Sequence, residues 1–257
     1  MKGVSMQYAI EYLERAKYIL DKIEKEQRRN IIAAAEIMAN SIANGGLVHV
    51  FGSGHSVIPA LDIFPRYGSF PGFHPLLDPR LMWFNVLGPG GVRELLWLER
   101  KEGYVQIFLA NYCLLKTDVM LVFSHGGLNA APVEVAMEAK RRGLAVIAVT
   151  SLENYHRSQA VHSSGKRLAD LADVVIDNCV PPEDALIRID GLEEPVAAGS
   201  TLAAVAIAMA LVSEVARRLV QMNIKPRVFV SPNVDKEAIE HNEQVFAVYQ
   251  QMLKHRR

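Results

Sequence analysis

Two short stretches carry the residue types and spacing of an anion site. Gly52-Ser53-Gly54-His55-Ser56 follows the apolar run Leu47-Val48-His49-Val50-Phe51, and Ser124-His125-Gly126-Gly127-Leu128-Asn129 follows Asp118 to Phe123. In each, a run short enough for a buried strand stops at glycines and small polar residues, and a helix-compatible stretch comes next. Such a junction offers backbone N–H groups and the positive end of a helix dipole to a negative charge. Glycines let the amides approach the anion, while Ser53, Ser56, Ser124 and Asn129 add side-chain donors. His55 brings a group able to orient a hydroxyl or carry a proton near neutral pH, and His125, if protonated, adds a charged donor.

Three kinds of glycine loop compete for this pattern. A dinucleotide site wants G-x-G-x-x-G with an acidic residue about 20 positions on. Here the third glycine position is Val57, and the region where the next strand should end is rich in proline. A nucleotide P-loop wants G-x-x-x-x-G-K-[ST]. The Gly165-Lys166 pair continues with Arg167 and has Ala160 in the first glycine position, so that pattern fails. A phosphosugar site instead uses two strand-to-helix turns, each loaded with small hydroxyl residues, and this chain has both.

The elements that must position the two turns follow from periodicity. Residues 5–29 place Tyr8, Tyr12, Ala16, Ile19, Leu20 and Ile23 at helical spacing among charges, and 31–44 reads as a second helix beyond a break at Asn30. Strands are expected at 47–51, 118–123, 144–149, 174–176 and 228–230. Helices are expected at 56–66, 92–101, 104–114, 132–142, 169–172, 200–222 and 235–253. Residues 67–80, with Pro71, Pro75 and Pro79, read as an irregular loop, 155–166 as a polar loop, and the stretch with Pro181-Pro182 and Pro195 as another loop. Apolar strands alternating with helices predict a parallel sheet covered on both faces. A parallel sheet places its ligand at the carboxyl ends of the strands, where both turns lie.

Composition fits one large α/β domain over residues 1–257, with 1–45 an N-terminal helical extension and 46–257 the core and C-terminal helices. The chain has 257 residues, 50% hydrophobic and 22% charged, enough to bury a sizeable core. Twenty-eight basic residues balance twenty-eight acidic ones, so no global field draws nucleic acid or an anionic membrane. Leu202 to Val212, the most apolar stretch, falls short of the roughly 18 residues that span a bilayer. Cys113 and Cys179 lack metal-ligand spacing and read as buried free thiols, in keeping with a reducing cytosol. The N-terminus runs quickly into charge and shows no signal peptide. The expectation is a cytoplasmic protein without metal or cofactor.

Taken together, VFGSGHS at 50–56, SHGGLNAAPVEVAMEAKRRG at 124–143, VIAVTS at 146–151, SSGKRLADLADVVIDN at 163–178 and EHN at 240–242 resemble the sugar isomerase (SIS) domain family of phosphosugar-binding proteins. More narrowly, they are similar to its uncharacterised bacterial single-domain members. The resemblance implies a three-layer α/β/α sandwich, flavodoxin- or Rossmann-like, with a five-stranded parallel sheet. It also implies a homodimer or larger homo-oligomer and a phosphorylated sugar at the strand ends. By position, Ser53, Ser124, His125 and Asn129 match the family's phosphate-contacting places and Ser56 closes the first motif. Gly52, Gly54, Gly126 and Gly127 complete the two loops.

SIS isomerases draw on a Glu or His near the sugar's carbonyl carbon, which points to Glu240 and His241 as base, with His55 as acid partner. Ser200 opens the long Ala-rich helix as an N-cap and is a further ligand candidate. Asn129 has an alternative role as the cap of the helix after it. Trp83 and Trp97 read as core or interface anchors. The chain departs from the family pattern twice. The second loop usually reads Ser-x-Ser-Gly-x-[Thr/Ser/Asn], and Gly126 stands where the second serine belongs. Close relatives tend to carry His-Glu where this chain has Gly88-Pro89. The leading expectation is a phosphosugar isomerase working through an enediolate, or a related lyase or deaminase. The rivals are a non-catalytic phosphosugar sensor and a nucleotide-binding module.

Overall fold

The computed structural model describes residues 7–234, 237–254 and 256. The chain opens with α1 (Gln7–Ala43), followed by β1 (Val48–Gly52), α2 (Val57–Ile63) and β2 (Phe73–Pro75). Next come α3 (Val92–Leu98), α4 (Tyr104–Leu109), β3 (Val119–Phe123), α5 (Ala130–Arg141) and β4 (Ala145–Thr150). Then follow α6 (Leu152–Arg157), α7 (Leu168–Leu171), β5 (Val174–Asp177), β6 (Ala185–Ile187), β7 (Val196–Ala198), α8 (Ser200–Gln221) and α9 (Ala238–Lys254). Ser5 and Met6 of the expected first helix, and Asp235 and Lys236 of the last, lie outside the described residues.

Five strands form one parallel sheet in the order β2-β1-β3-β4-β5, with Val48 in register with Val119 and Val119 with Ala145. Alternation along the strands divides the core in two. Val48, Val50, Val119, Leu121, Ile147 and Val149 face a layer built by α1, α2 and α8. Phe51, Met120, Val122, Val146 and Ala148 face the layer of α4 and α5. Because both faces are covered, the strands read as continuous apolar runs.

Several local expectations are corrected. Residues 7–43 form one helix, not two. Asn30 stays helical with its amide donating to Gln27 Oε1 at 2.9 Å, since Ile19, Ile23, Ala34, Ala35 and Met38 bury one stripe across it. Packing of that stripe outweighs the few tenths of a kcal/mol by which Asn disfavours a helix. The fifth strand is Phe73–Pro75, inside the expected loop, rather than 228–230. A proline is tolerated there because β2 is an edge strand paired with β1 alone.

The 228–230 segment joins no ladder. Asn242 brackets the Val230 backbone with bonds of 3.0 and 2.8 Å, and the Phe229 N–H donates to the Ser69 carbonyl. The expected polar loop at 155–166 begins inside α6, and the proline-containing stretch after β5 forms the antiparallel β6–β7 hairpin. Cys113 is exposed and Cys179 half-buried, and Trp97 is 61% exposed, so neither the buried-thiol reading nor the core-anchor reading of Trp97 holds. Among the described residues no helix is long and apolar enough to cross a membrane.

Candidate functional site

The first turn leaves β1 at Gly52. A β-carbon there would collide with the Ser56 carbonyl oxygen, so the chain can fold back on itself only with glycine at this point. Ser53 is extended, Gly54 takes φ +59°, and Gly54–Ser56 makes a single tight turn before α2. Ser53 and Ser56 both occupy helix N-cap positions, yet neither side chain caps. The Ser53 hydroxyl instead donates to Glu99 Oε2 at 2.9 Å.

The second turn leaves β3. Ser124 Oγ accepts the Gly127 N–H at 3.1 Å, which tightens the loop, and Gly127 takes φ +63°. A β-carbon on Gly127 would sit 2.8 Å from Thr150 Oγ1, so β4 presses directly on this residue. Asn154 of α6 donates to the Gly126 carbonyl at 2.8 Å and braces the loop from the other side. Asn129 stands at the N-cap of α5 without capping it, so its alternative role as a cap does not apply. Among the described residues, nothing accepts from the amide N–H groups of Ser53, His125, Gly126 or Asn129. Amides left this way at two helix N-termini form a ready anion cradle.

The sheet order puts β1 beside β3, and the two turns therefore face each other across one cleft of about 240 Å³. Ser53, Gly54, His55 and Ser56 line one side and Ser124, His125, Gly126 and Asn129 the other. Gly52 and Gly127 shape the turns without lining the cleft. Helix α3 supplies the remaining wall through Val92, Leu95 and Leu96, one apolar stripe, with Glu99 completing it just beyond the helix end. Trp83 closes this side, its ring centroid 4.5 Å from that of His55. Adjoining it is a smaller space of about 10 Å³ bounded by Ser56, Ser124, His125, Asn178, Ser200 and Thr201.

Two side chains in the cleft have an electrostatic character that sequence alone did not show. Glu99 is 6% exposed, and burial pushes its carboxyl up from the usual carboxylate range, opposed in part by the Ser53 hydroxyl and by Arg100. His125 is held at both ring nitrogens. Asn178 Nδ2 donates to Nδ1 at 3.0 Å, its amide orientation set by Val180 N–H on Oδ1, and Nε2 meets the Pro182 carbonyl at 3.3 Å. That arrangement requires the tautomer with the proton on Nε2. Both ring nitrogens of His125 are thus held by the scaffold, while the residue lines the cleft.

The other expected residues do not line the cleft itself, although Ser200 borders the smaller space beside it. Gly199, not Ser200, occupies the N-cap of α8. The Ser200 hydroxyl donates to Asp184 Oδ2 at 2.9 Å, and Asp184 Oδ1 takes the Gly199 and Ser200 amides, so the positive end of α8 is satisfied within the fold. Glu240 is exposed on α9, and His241 next to it is bonded through Nε2 to the Val228 carbonyl at 2.8 Å; neither lines the cleft. Glu99 and Trp83 were missed as site residues. The available signal for Glu99 was its place on an apolar i, i+3, i+4, i+7 stripe beginning at Val92, where a carboxylate has no packing reason to be.

The SIS domain family model matches residues 11–151, which contain both turns and Glu99. A UPF0309 protein of Thermoanaerobacter pseudethanolicus is 36% identical over 250 residues, covering 96% of this chain and 99% of the relative. A UPF0309 protein of Listeria innocua is 34% identical over 242 residues, covering 94% and 96%. Among solved structures, phosphoheptose isomerase GmhA from Neisseria gonorrhoeae superposes with a TM-score of 0.51 at 18% identity, over 79% of this chain and 94% of that one. A phosphoheptose isomerase from Francisella tularensis gives 0.51 at 19%, over 82% and 98%. At that identity the structural likeness speaks to the fold.

Proposed function

The chain belongs to the SIS domain family, and within it to the UPF0309 proteins; on that premise we propose that it binds a phosphorylated sugar in the cleft between its two turns and isomerises it between aldose and ketose. One observation carries the reading: side chains at three N-cap positions, Ser53, Ser56 and Asn129, decline their caps and line a single cleft beside unpaired loop amides. A phosphate between the turns gains these donors and two helix N-termini, and each hydrogen bond to a charged group is worth about 1.5–3 kcal/mol. Anchoring the phosphate positions the carbonyl end of the sugar for proton transfer between neighbouring carbons through an enediolate. His55, exposed in the cleft against Trp83, suits the acid partner. The two structural relatives named as phosphoheptose isomerases lend this class support.

A second reading, a phosphosugar sensor without catalysis, draws on Gly126, which lacks a side-chain donor, and on Glu240 and His241 standing outside the cleft. A homodimer fits the trough of about 720 Å³ between α1 and α8, where Leu20, Ile31 and Ile32 meet Ala206 and Ala210.

The test is a thermal-shift screen of sugar phosphates on the wild type, Ser53→Ala and Ser124→Ala. A ligand at 100 times its dissociation constant should stabilise the wild type by about 2.7 kcal/mol, and both variants should lose most of that. Equal shifts in all three proteins would put the ligand elsewhere.

A further inference from the structure

An enediolate route needs a base inside the cleft, and Glu240 and His241 do not stand there. Glu99 does. It lines the same wall as Leu95 and Leu96, and Gly54 of the first turn lies against it, with a β-carbon built there 3.9 Å from Glu99 Oε2. Its backbone is fixed from two sides: the Glu99 N–H donates to the Leu95 carbonyl at 2.9 Å, and the Glu99 carbonyl accepts from the Ala131 N–H at 2.9 Å. The carboxylate is therefore mounted between α3 and the start of α5, the helix whose N-terminus forms the second turn. Oε1 meets Arg100 Nη1 at 3.1 Å, and Oε2 accepts the Ser53 hydroxyl at 2.9 Å. Arg100 is 54% exposed, so solvent screens most of its charge. Among the described residues, the remaining titratable groups facing the cleft are His55 and His125.

We propose that Glu99 is the base that moves the sugar's proton, and that Ser53 holds it idle until the phosphate arrives. This rests on the phosphosugar reading of the cleft. The Ser53 hydroxyl has one proton to donate, and a phosphate between the turns competes for it against the carboxylate. When Ser53 turns to the phosphate, Glu99 loses the bond that stabilised its anion and becomes a stronger base in a desolvated wall. Glu99 then takes the proton from C2; the C–H pair becomes the C1–C2 double bond and the carbonyl pair moves onto O1. The protonated Glu99 then delivers a proton to C1, and exchange of its carboxyl proton with solvent in the enediolate state is what carries deuterium into the sugar. His55 relays the O2 proton to O1, which leaves the carbonyl at C2. C1 is reduced as C2 is oxidised, and no outside electron acceptor takes part. Phosphate recognition and base strength are thereby linked through one hydroxyl.

The experiment follows proton exchange at C2 in D2O by NMR, using a hexose phosphate that stabilises the wild type in the thermal-shift screen, across pH. Glu99→Gln should bind that ligand within about twofold while exchange falls by at least a hundredfold, the lower range for losing a general base. Glu99→Asp should recover part of it, which separates loss of the base from loss of the fold. In Ser53→Ala the acid limb of kcat/KM, which reports free enzyme, should move to higher pH while that of kcat stays in place. Exchange at the wild-type rate in Glu99→Gln overturns the base assignment and leaves the phosphosugar reading intact. Two limbs moving together in Ser53→Ala overturn the coupling. Binding without exchange in the wild type overturns the base and isomerase assignments together, and a screen in which no sugar phosphate binds overturns the phosphosugar reading itself.

Discussion

Gly126→Ser is the most direct probe of where the phosphate sits. The family pattern places a serine at this position, and its absence removes one donor from the second turn. The structure gives the new side chain room. Gly126 lies outside the left-handed backbone region, and a β-carbon there meets only Asn154 Nδ2, at 3.7 Å. Replacing glycine where the backbone tolerates a side chain stabilises by about 0.4–1 kcal/mol through the unfolded state, so the variant should fold. A hydroxyl donating to a charged oxygen adds about 1.5–3 kcal/mol, which corresponds to a gain in affinity of roughly tenfold to over a hundredfold. Titration calorimetry with the sugar phosphate found by thermal shift measures this against the wild type. Gly127→Ser is the control: its φ of +63° and the Thr150 hydroxyl 2.8 Å from the added carbon should cost stability without improving binding. If Gly126→Ser folds normally and its affinity stays within twofold of wild type or weakens, the phosphate does not lie over Gly126 and the family-based alignment of this loop fails.

Further expectations concern the scaffold. Asp118, fully buried just before the amino end of the central strand β3, accepts from Leu47 N–H at 2.9 Å, His49 Nε2 at 3.0 Å, Leu115 N–H at 2.7 Å and a bidentate Arg256 at 2.6 and 2.8 Å. Asp118→Asn leaves Arg256 buried without its counter-charge and should cost about 3–5 kcal/mol in urea unfolding. Burial works to raise the Asp118 carboxyl, but these bonds outweigh it and hold it well below the usual range. Its contribution is therefore present above about pH 4 and lost as pH falls through the folded-state value, and the variant should lack that acid limb. Ser200→Ala should lower stability by about 1.5–3 kcal/mol, the worth of a hydrogen bond to a charged group, with sugar-phosphate affinity unchanged. A tenfold weaker affinity at unchanged stability would show that its hydroxyl leaves Asp184 for the ligand.

The parallel-sheet plan was legible because strands buried on both faces read as apolar runs broken by helices. The sheet edge was not. Phe73–Pro75 is three residues long and ends in proline, which a local reading assigns to a loop, while Val228-Phe229-Val230 looks like a strand and is tied instead to Asn242 and Ser69. Local propensity cannot say which of two short segments wins the vacant side of β1. The break expected at Asn30 failed for the same reason, since the stripe buried on both sides of it decides the helix.

For the site, the residues of the two turns were determined by sequence: glycine where backbone doubles back, small donors where amides must be approached. Gly52 shows it most plainly, because no other residue fits beneath the Ser56 carbonyl. What tertiary structure alone decided is which groups share the cleft. It brought Glu99 from the end of α3 onto Ser53, set Trp83 against His55, and tied both nitrogens of His125 into the scaffold. It also left Glu240 and His241 on another helix. Spacing along the chain carries a turn's own chemistry, but the burial of Glu99 and its bond to Ser53, 46 positions away in sequence, come from packing between distant elements.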